Sequence, residues 1–97
     1  MRVHELKEWP ATFEENGRMD FAELRDGRDR YFRVGDLLHI REWCPDLDYS
    51  SGRERVARIT RVHYGAQYGL GEVVLLECRR VMEVHNPAEP RPSEGAR

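Results

Sequence analysis

The run FAELRDGRDRYFRVGDLLHIREW, from Phe21 to Trp43, decides how this chain folds. Two short segments in it, Phe21 to Arg25 and Leu37 to Trp43, mix apolar with charged residues and are joined by a connection dense in Asp, Gly and Arg. That is the pattern of two strands with a charged link. In the second strand a period of two puts Leu38 and Ile40 on one face and His39, Arg41 and Trp43 on the other. One face is expected to join a core and the other to form a display surface.

The first strand breaks its own alternation, because Phe21 and Leu24 cannot share a face of a regular strand. A β-bulge near Ala22 is therefore expected, turning both apolar side chains inward and leaving Glu23 and Arg25 pointing out together. Val34-Gly35-Asp36 predicts a tight turn into the next strand, with Gly35 free to take a positive φ.

The bulk numbers bound what surrounds this stretch. Ninety-seven residues, 39% hydrophobic and 35% charged, make one domain with a small core. No apolar run approaches the roughly 20 residues of a membrane helix. The amino terminus carries charge where a signal peptide needs apolar residues, so a cytoplasmic protein is expected. Cys44 and Cys78 belong to no CxxC pair, which argues against a zinc ribbon or redox motif; both are expected reduced, one in a loop and one in a strand. A net charge of −2 gives no bulk attraction for nucleic acid, so any such binding must come from local placement of charge. Lys7 is the single lysine among the basic residues. The many arginines suit phosphate, carboxylate or base edges, although genomic base composition alone also produces such a bias.

Upstream, Val3 to Lys7 reads as a strand ended by Trp9-Pro10. Pro10 is placed to open a short helix through Asn16, with Trp9 and Phe13 as its inward side and Gly17 as its stop. Downstream, Cys44 to Gly52 reads as a loop. Its aspartates do not meet EF-hand spacing, since the glycine comes one place late and the twelfth position is Ala57, so no metal is expected. Arg53 to Tyr64 is predicted as a long strand, with Val56, Ala57, Ile59 and Val62 on its apolar side and a bulge or bend between Val56 and Ile59. Gly65 to Gly71 is glycine-rich but lacks nucleotide-loop spacing and reads as a barrel connection. Glu72 to Val84 carries Val-Val-Leu-Leu and is predicted as a central strand buried on both sides. From His85 onward the chain is proline-rich and polar, a tail expected to be disordered, which sets the domain at residues 1–84. One or two short helices with about five bent strands predict a small, partly open β-barrel of the α+β kind.

In their shared order, His4-Glu5-Leu6-Lys7, Pro10, Phe13, Gly17, Glu23-Leu24-Arg25 and Asp29-Arg30 resemble the ASCH domains of the PUA-like superfamily. The likeness continues through Phe32, Val34-Gly35-Asp36, Arg41-Glu42, Gly52-Arg53, Gly69-Leu70 and Val73-Val74, and is nearest to a small bacterial and phage branch without assigned activity. The resemblance implies a PUA-like barrel with a cleft beside the short helix and a role in binding RNA or handling a modified nucleoside. The ASCH signature G-x-K-x-x-E-x-R is matched by Gly17, Glu23 and Arg25, with one extra residue in between and Met19 in place of the lysine.

On that resemblance the chain is expected to bind RNA or a nucleotide. Arg25, Arg30 and Arg41 would neutralise phosphate or stack on bases, and His4, Lys7 and Glu23 would read polar edges. Tyr68, Trp9 and Trp43 are the candidate stacking rings. An alternative is hydrolysis of an acylated nucleoside of the N4-acetylcytidine type, with Lys7 or Glu23 moving the proton and Lys7 substituting for the missing lysine only if it converges with Glu23. A third is a protein-interaction adaptor, such as a phage-encoded modulator. No cofactor or membrane partner is expected, and the oligomeric state is left at monomer or weak dimer.

Overall fold

The computed structural model describes residues 1–28 and 31–85. Five strands, β1 (Val3–Glu8), β2 (Asp20–Asp26), β3 (Leu37–Cys44), β4 (Tyr49–Tyr64) and β5 (Val73–His85), form one mixed sheet in the order β1-β3-β4-β5-β2. Only β1 and β3 run parallel; the other pairs are antiparallel. The sheet curls into a half-barrel whose two edges, β1 and β2, face each other across an open seam. Arg25 spans that seam by donating Nη2 to the carbonyl of Lys7 at 3.2 Å.

The curl has a visible cause. β4 slips register twice against β5, between Val56 and Ala57 and between Ile59 and Arg61, and extra residues at such points bend a strand and raise its twist. The expected bend between Val56 and Ile59 is therefore present. Leu6, Phe13, Phe21, Phe32, Leu38, Ile40, Ala57, Ile59, Val74, Leu76 and Cys78 fill the concave side. Helix α1 (Pro10–Glu15) joins β1 to β2 and lays Phe13, fully buried, over one end of the hollow. A single turn of 3-10 helix, Gly65–Tyr68, joins β4 to β5.

Most elements match the sequence expectations, and the small barrel-like α+β class is observed. Leu38 and Ile40 are buried, and Gly35 sits at φ 93°, where it donates its N–H to the Ile59 carbonyl at 2.8 Å. Five details differ. β2 pairs with β5 in unbroken register, so no bulge forms at Ala22; Glu23 points inward and Leu24 outward, 65% exposed. Trp9 is 64% exposed rather than packed with Phe13, because its extended backbone (φ −65°, ψ 154°) ends β1 before the helix begins. The loop after β3 is short, since β4 already starts at Tyr49, and Cys44 is the last residue of β3. β5 is interior in the sheet but alternates, with Val74, Leu76 and Cys78 buried and Leu75 exposed, because no layer of the described residues covers its convex face. His85 closes β5, and the rest of the expected tail, residues 86–97, lies outside the described residues.

Candidate functional site at the barrel seam

Alternation along β1 turns His4, Leu6 and Glu8 inward and Val3, Glu5 and Lys7 outward. Glu8 is the last inward residue before Trp9-Pro10 forces the chain out of the sheet, so its carboxyl lies under α1 at the seam. On the opposite edge, β2 sends Phe21, Glu23 and Arg25 inward. Asn16, capping the C-terminus of α1, stands between the edges. Its Nδ2 donates to Glu23 Oε1 at 3.0 Å and to Glu8 Oε2 at 3.5 Å. Arg25 Nε donates to Glu23 Oε2 at 3.2 Å. Glu8 and Glu23 are 3% and 4% exposed, which places two carboxyls in a setting that such groups occupy only with partners.

The partners are unevenly shared. Arg55, 1% exposed, donates Nε to Glu83 at 2.6 Å and Nη1 to the Phe13 carbonyl at 3.0 Å, with its guanidinium 4.0 Å from the Phe13 ring. That carbonyl belongs to the last turn of α1, where carbonyls lack helical partners, so Arg55 also anchors the helix end. Gly17 packs close to the helix end: a Cβ there would sit 3.1 Å from the Glu14 carbonyl oxygen, and 3.4 Å from Arg55 Nη2, an ordinary contact. Arg53 serves Glu42 at 3.4 Å and Glu14 at 2.7 Å. Glu23, Glu42 and Glu83 thus each face an arginine. Glu8 has no ion-pair partner among the described residues, and its Oε1 is buried with no hydrogen bond. Burial pushes the Glu8 carboxyl above its usual range, against the smaller opposing pull of the Asn16 hydrogen bond and the Arg25 and Arg55 charges.

The result is a buried polar cluster at the seam, made of a carboxylate-guanidinium pair, an amide and a second carboxyl. Nearby Cys78 takes no part, since burial first, and then the Glu8 and Glu77 charges, push its thiol to about 12.

Of the residues expected at the site, Glu23 and Arg25 meet here and the others do not. His4 is on the right face but four residues away, where its Nε2 meets Asp36 Oδ2 at 2.9 Å and its ring packs on Phe32. Lys7 is outward, with its Nζ 4.7 Å from the Trp43 ring centroid, so it does not converge with Glu23. Arg41 is its register partner on the same outer face and is exposed. Tyr68 lies on the 3-10 turn and lines a separate apolar hollow of about 290 Å³ with Leu24, Leu70 and Leu75. Arg30 lies outside the described residues. Glu8, Asn16 and Arg55 went unread. Period-two counting back from Leu38 and Ile40 to their parallel partners His4 and Leu6 reaches Glu8, and counting back from Ala57 and Ile59 reaches Arg55. Nothing local distinguishes Asn16 from an ordinary C-cap.

Among the described residues no three His, Cys, Asp or Glu side chains are arranged to hold a metal ion, and no helix is long and apolar enough to cross a membrane. Residues 3–76 match a family described as a domain of unknown function, DUF3850. No curated protein matches the chain.

Proposed function

The chain belongs to the DUF3850 family of domains of unknown function, and on that premise we propose that it is an ASCH-type, PUA-like module that binds a nucleotide or a flexible single-stranded RNA segment at the β1–β2 seam. The observation that carries this reading is the convergence of Glu8, Asn16, Glu23 and Arg25 from two strand edges and a helix end into one buried polar cluster. A nucleobase has a planar edge of alternating donors and acceptors, and these groups supply both kinds. Trp9, exposed and next in the chain to Glu8, offers a ring for stacking. Two free thiols, Cys44 and Cys78, suit a reducing compartment and support a cytoplasmic setting.

Hydrolysis of an acylated nucleoside fits this arrangement less well. It calls for a lysine beside Glu23, and the chain's single lysine stands on the opposite face of β1.

Titration of ribo-oligonucleotides at low salt tests the reading. Wild-type protein is expected to bind and to lose affinity as salt rises. Arg25→Ala and Glu23→Gln are each expected to weaken binding by about ten- to a hundredfold, the worth of a hydrogen bond involving a charged group. Absence of wild-type binding at low salt overturns the proposal, as does unaltered affinity in both variants.

A further inference from the structure

We propose that Glu8 meets the ligand as a neutral carboxylic acid, donating a proton from Oε1 to an acceptor atom, a carbonyl oxygen or an unprotonated ring nitrogen, of the bound base. This rests on the nucleotide-binding reading of the seam and adds to it the residue that selects the ligand's edge.

Glu8 and Glu42 are paired neighbours on the parallel strands β1 and β3, both inward, 3% and 5% exposed. The two differ in their partners, and a buried carboxyl without a cation of its own favours the neutral form. Arg53 reaches Glu42. The groups facing Glu8 from the other elements are committed elsewhere, with Arg25 on Glu23, Arg55 on Glu83, and Asn16 shared between Glu8 and Glu23. Cys78 on β5 remains a thiol. Glu8 therefore holds its proton to higher pH than an ordinary carboxyl, in keeping with the upward push of burial.

Geometry then assigns the proton within the carboxyl. Oε2 accepts from Asn16 Nδ2 and so acts as the carbonyl oxygen, which leaves the hydroxyl at Oε1. Oε1 is the one buried side-chain nitrogen or oxygen without a partner among the described residues. A buried hydroxyl donor without an acceptor costs about 1–3 kcal/mol, and a ligand acceptor placed there removes that cost. An ammonium or amine presented at the same point would instead meet a second donor. The Glu8 hydroxyl thus favours carbonyl or imine edges over amino groups.

The test uses full-length protein and short homopolymeric ribo-oligonucleotides of each base, whose phosphodiesters do not titrate near neutrality. The 13Cδ shift of Glu8 is followed against pH in parallel with binding. The expected midpoint lies above the ordinary 4.5, and wild-type affinity falls by about tenfold per pH unit beyond it, as linkage to one proton requires. Glu8→Gln keeps a donor that cannot ionise, so it is expected to bind at low pH as tightly as wild type and to show no such fall. Glu8→Leu, which keeps the fold without a donor, is expected to bind weakly at every pH. An ordinary midpoint overturns the inference, as does a Glu8→Gln variant that keeps the wild-type pH profile. A raised midpoint with no oligonucleotide bound at any pH overturns it differently, because the nucleotide-binding reading has then failed and the protonated state has not.

Discussion

The two ends of β1 carry ionisable side chains on the same inner face, equally hidden from water, with opposite outcomes. At one end His4 meets Asp36, and Asp36 is saturated: Oδ2 also accepts the Arg33 N–H at 3.2 Å, and Oδ1 accepts the Arg2 N–H at 3.1 Å. At the other end Glu8 has one long hydrogen bond and an oxygen with none. The pKa directions follow. Burial works to raise Asp36, but the hydrogen bonds from His4, Arg2 and Arg33 and the His4 charge override it and hold the carboxyl low. At Glu8 burial wins. The first arrangement closes a structure, tying the amino terminus and the turn before β3 together. The second is left unsatisfied, and an unsatisfied buried group is where a ligand has something to add.

The sharpest way to break this contrast is to remove Asp36. Asp36→Ala strands the His4 ring and two backbone N–H donors in the interior. The expected loss is about 3–5 kcal/mol of stability, the range for removing one partner of a buried charged cluster, read by urea or thermal unfolding. Acid should act in the same direction. With its folded pKa below 3.8, Asp36 contributes stability that is complete above that value and is lost as pH falls through the folded pKa. A loss near that of an ordinary surface substitution would mean that the cluster does not fasten the amino terminus to the turn before β3.

Glu8 should behave in the opposite sense. Glu8→Leu replaces an unsatisfied acid by an apolar side chain of similar bulk and is expected to raise stability by about 1 kcal/mol. The gain should widen with pH. Because the folded pKa is raised, wild-type protein loses stability as pH climbs from the ordinary 4.5 through the folded value, while the variant has no proton there to lose. Unfolding curves of both proteins between pH 4 and 8 measure the gap. Destabilisation by Glu8→Leu would place Glu8 with His4, as a structural group.

This pair also shows what could be read in the chain beforehand. Alternation located the strands and the Leu38 and Ile40 face, and the Gly35 turn followed from residue chemistry. Alternation also contained the site, but hydrophobicity was given more weight than parity. Leu24 was turned inward because it is apolar, and Glu23 was turned outward because it is charged. The sheet ignored both, since β2 keeps register with β5 and, among the described residues, its convex face has no covering layer, so Leu24 stays 65% exposed beside the hollow that Tyr68 lines. Arg55 likewise is buried despite its charge. Whether a strand's charged residue is buried depends on which partners the rest of the fold brings, and here they come from α1 and from β5, distant in sequence. The convergence of β1 and β2 across the seam is a consequence of sheet curvature, and the spacing of Val56 and Ile59 locates the bend without telling which side chains it brings together.

The smallest effect is expected on the outer face of the same strand, where, among the described residues, Glu5 is ion-paired while the inward Glu8 is not. His39 stands between carboxylates of adjoining strands, with Nδ1 2.7 Å from Glu5 and Nε2 2.5 Å from Glu54. Carboxylates only accept, so both ring nitrogens must carry protons and the imidazole is a cation. Burial works against that charge, but the hydrogen bonds to Glu5 and Glu54 and then their charges raise the His39 pKa above 6.5. The clamp should therefore be complete below about 6.5 and fade as pH rises through the folded value. Glu5 is largely exposed and His39 and Glu54 keep partial access to water, so His39→Gln is expected to cost under about 1 kcal/mol. What it should change is local: faster amide exchange along β1 at pH 6, converging with wild type at high pH where the wild-type imidazole is itself neutral. Exchange that speeds up equally at both pH values would show that the ring packs rather than bonds, and that β1 is held only by its ladder to β3.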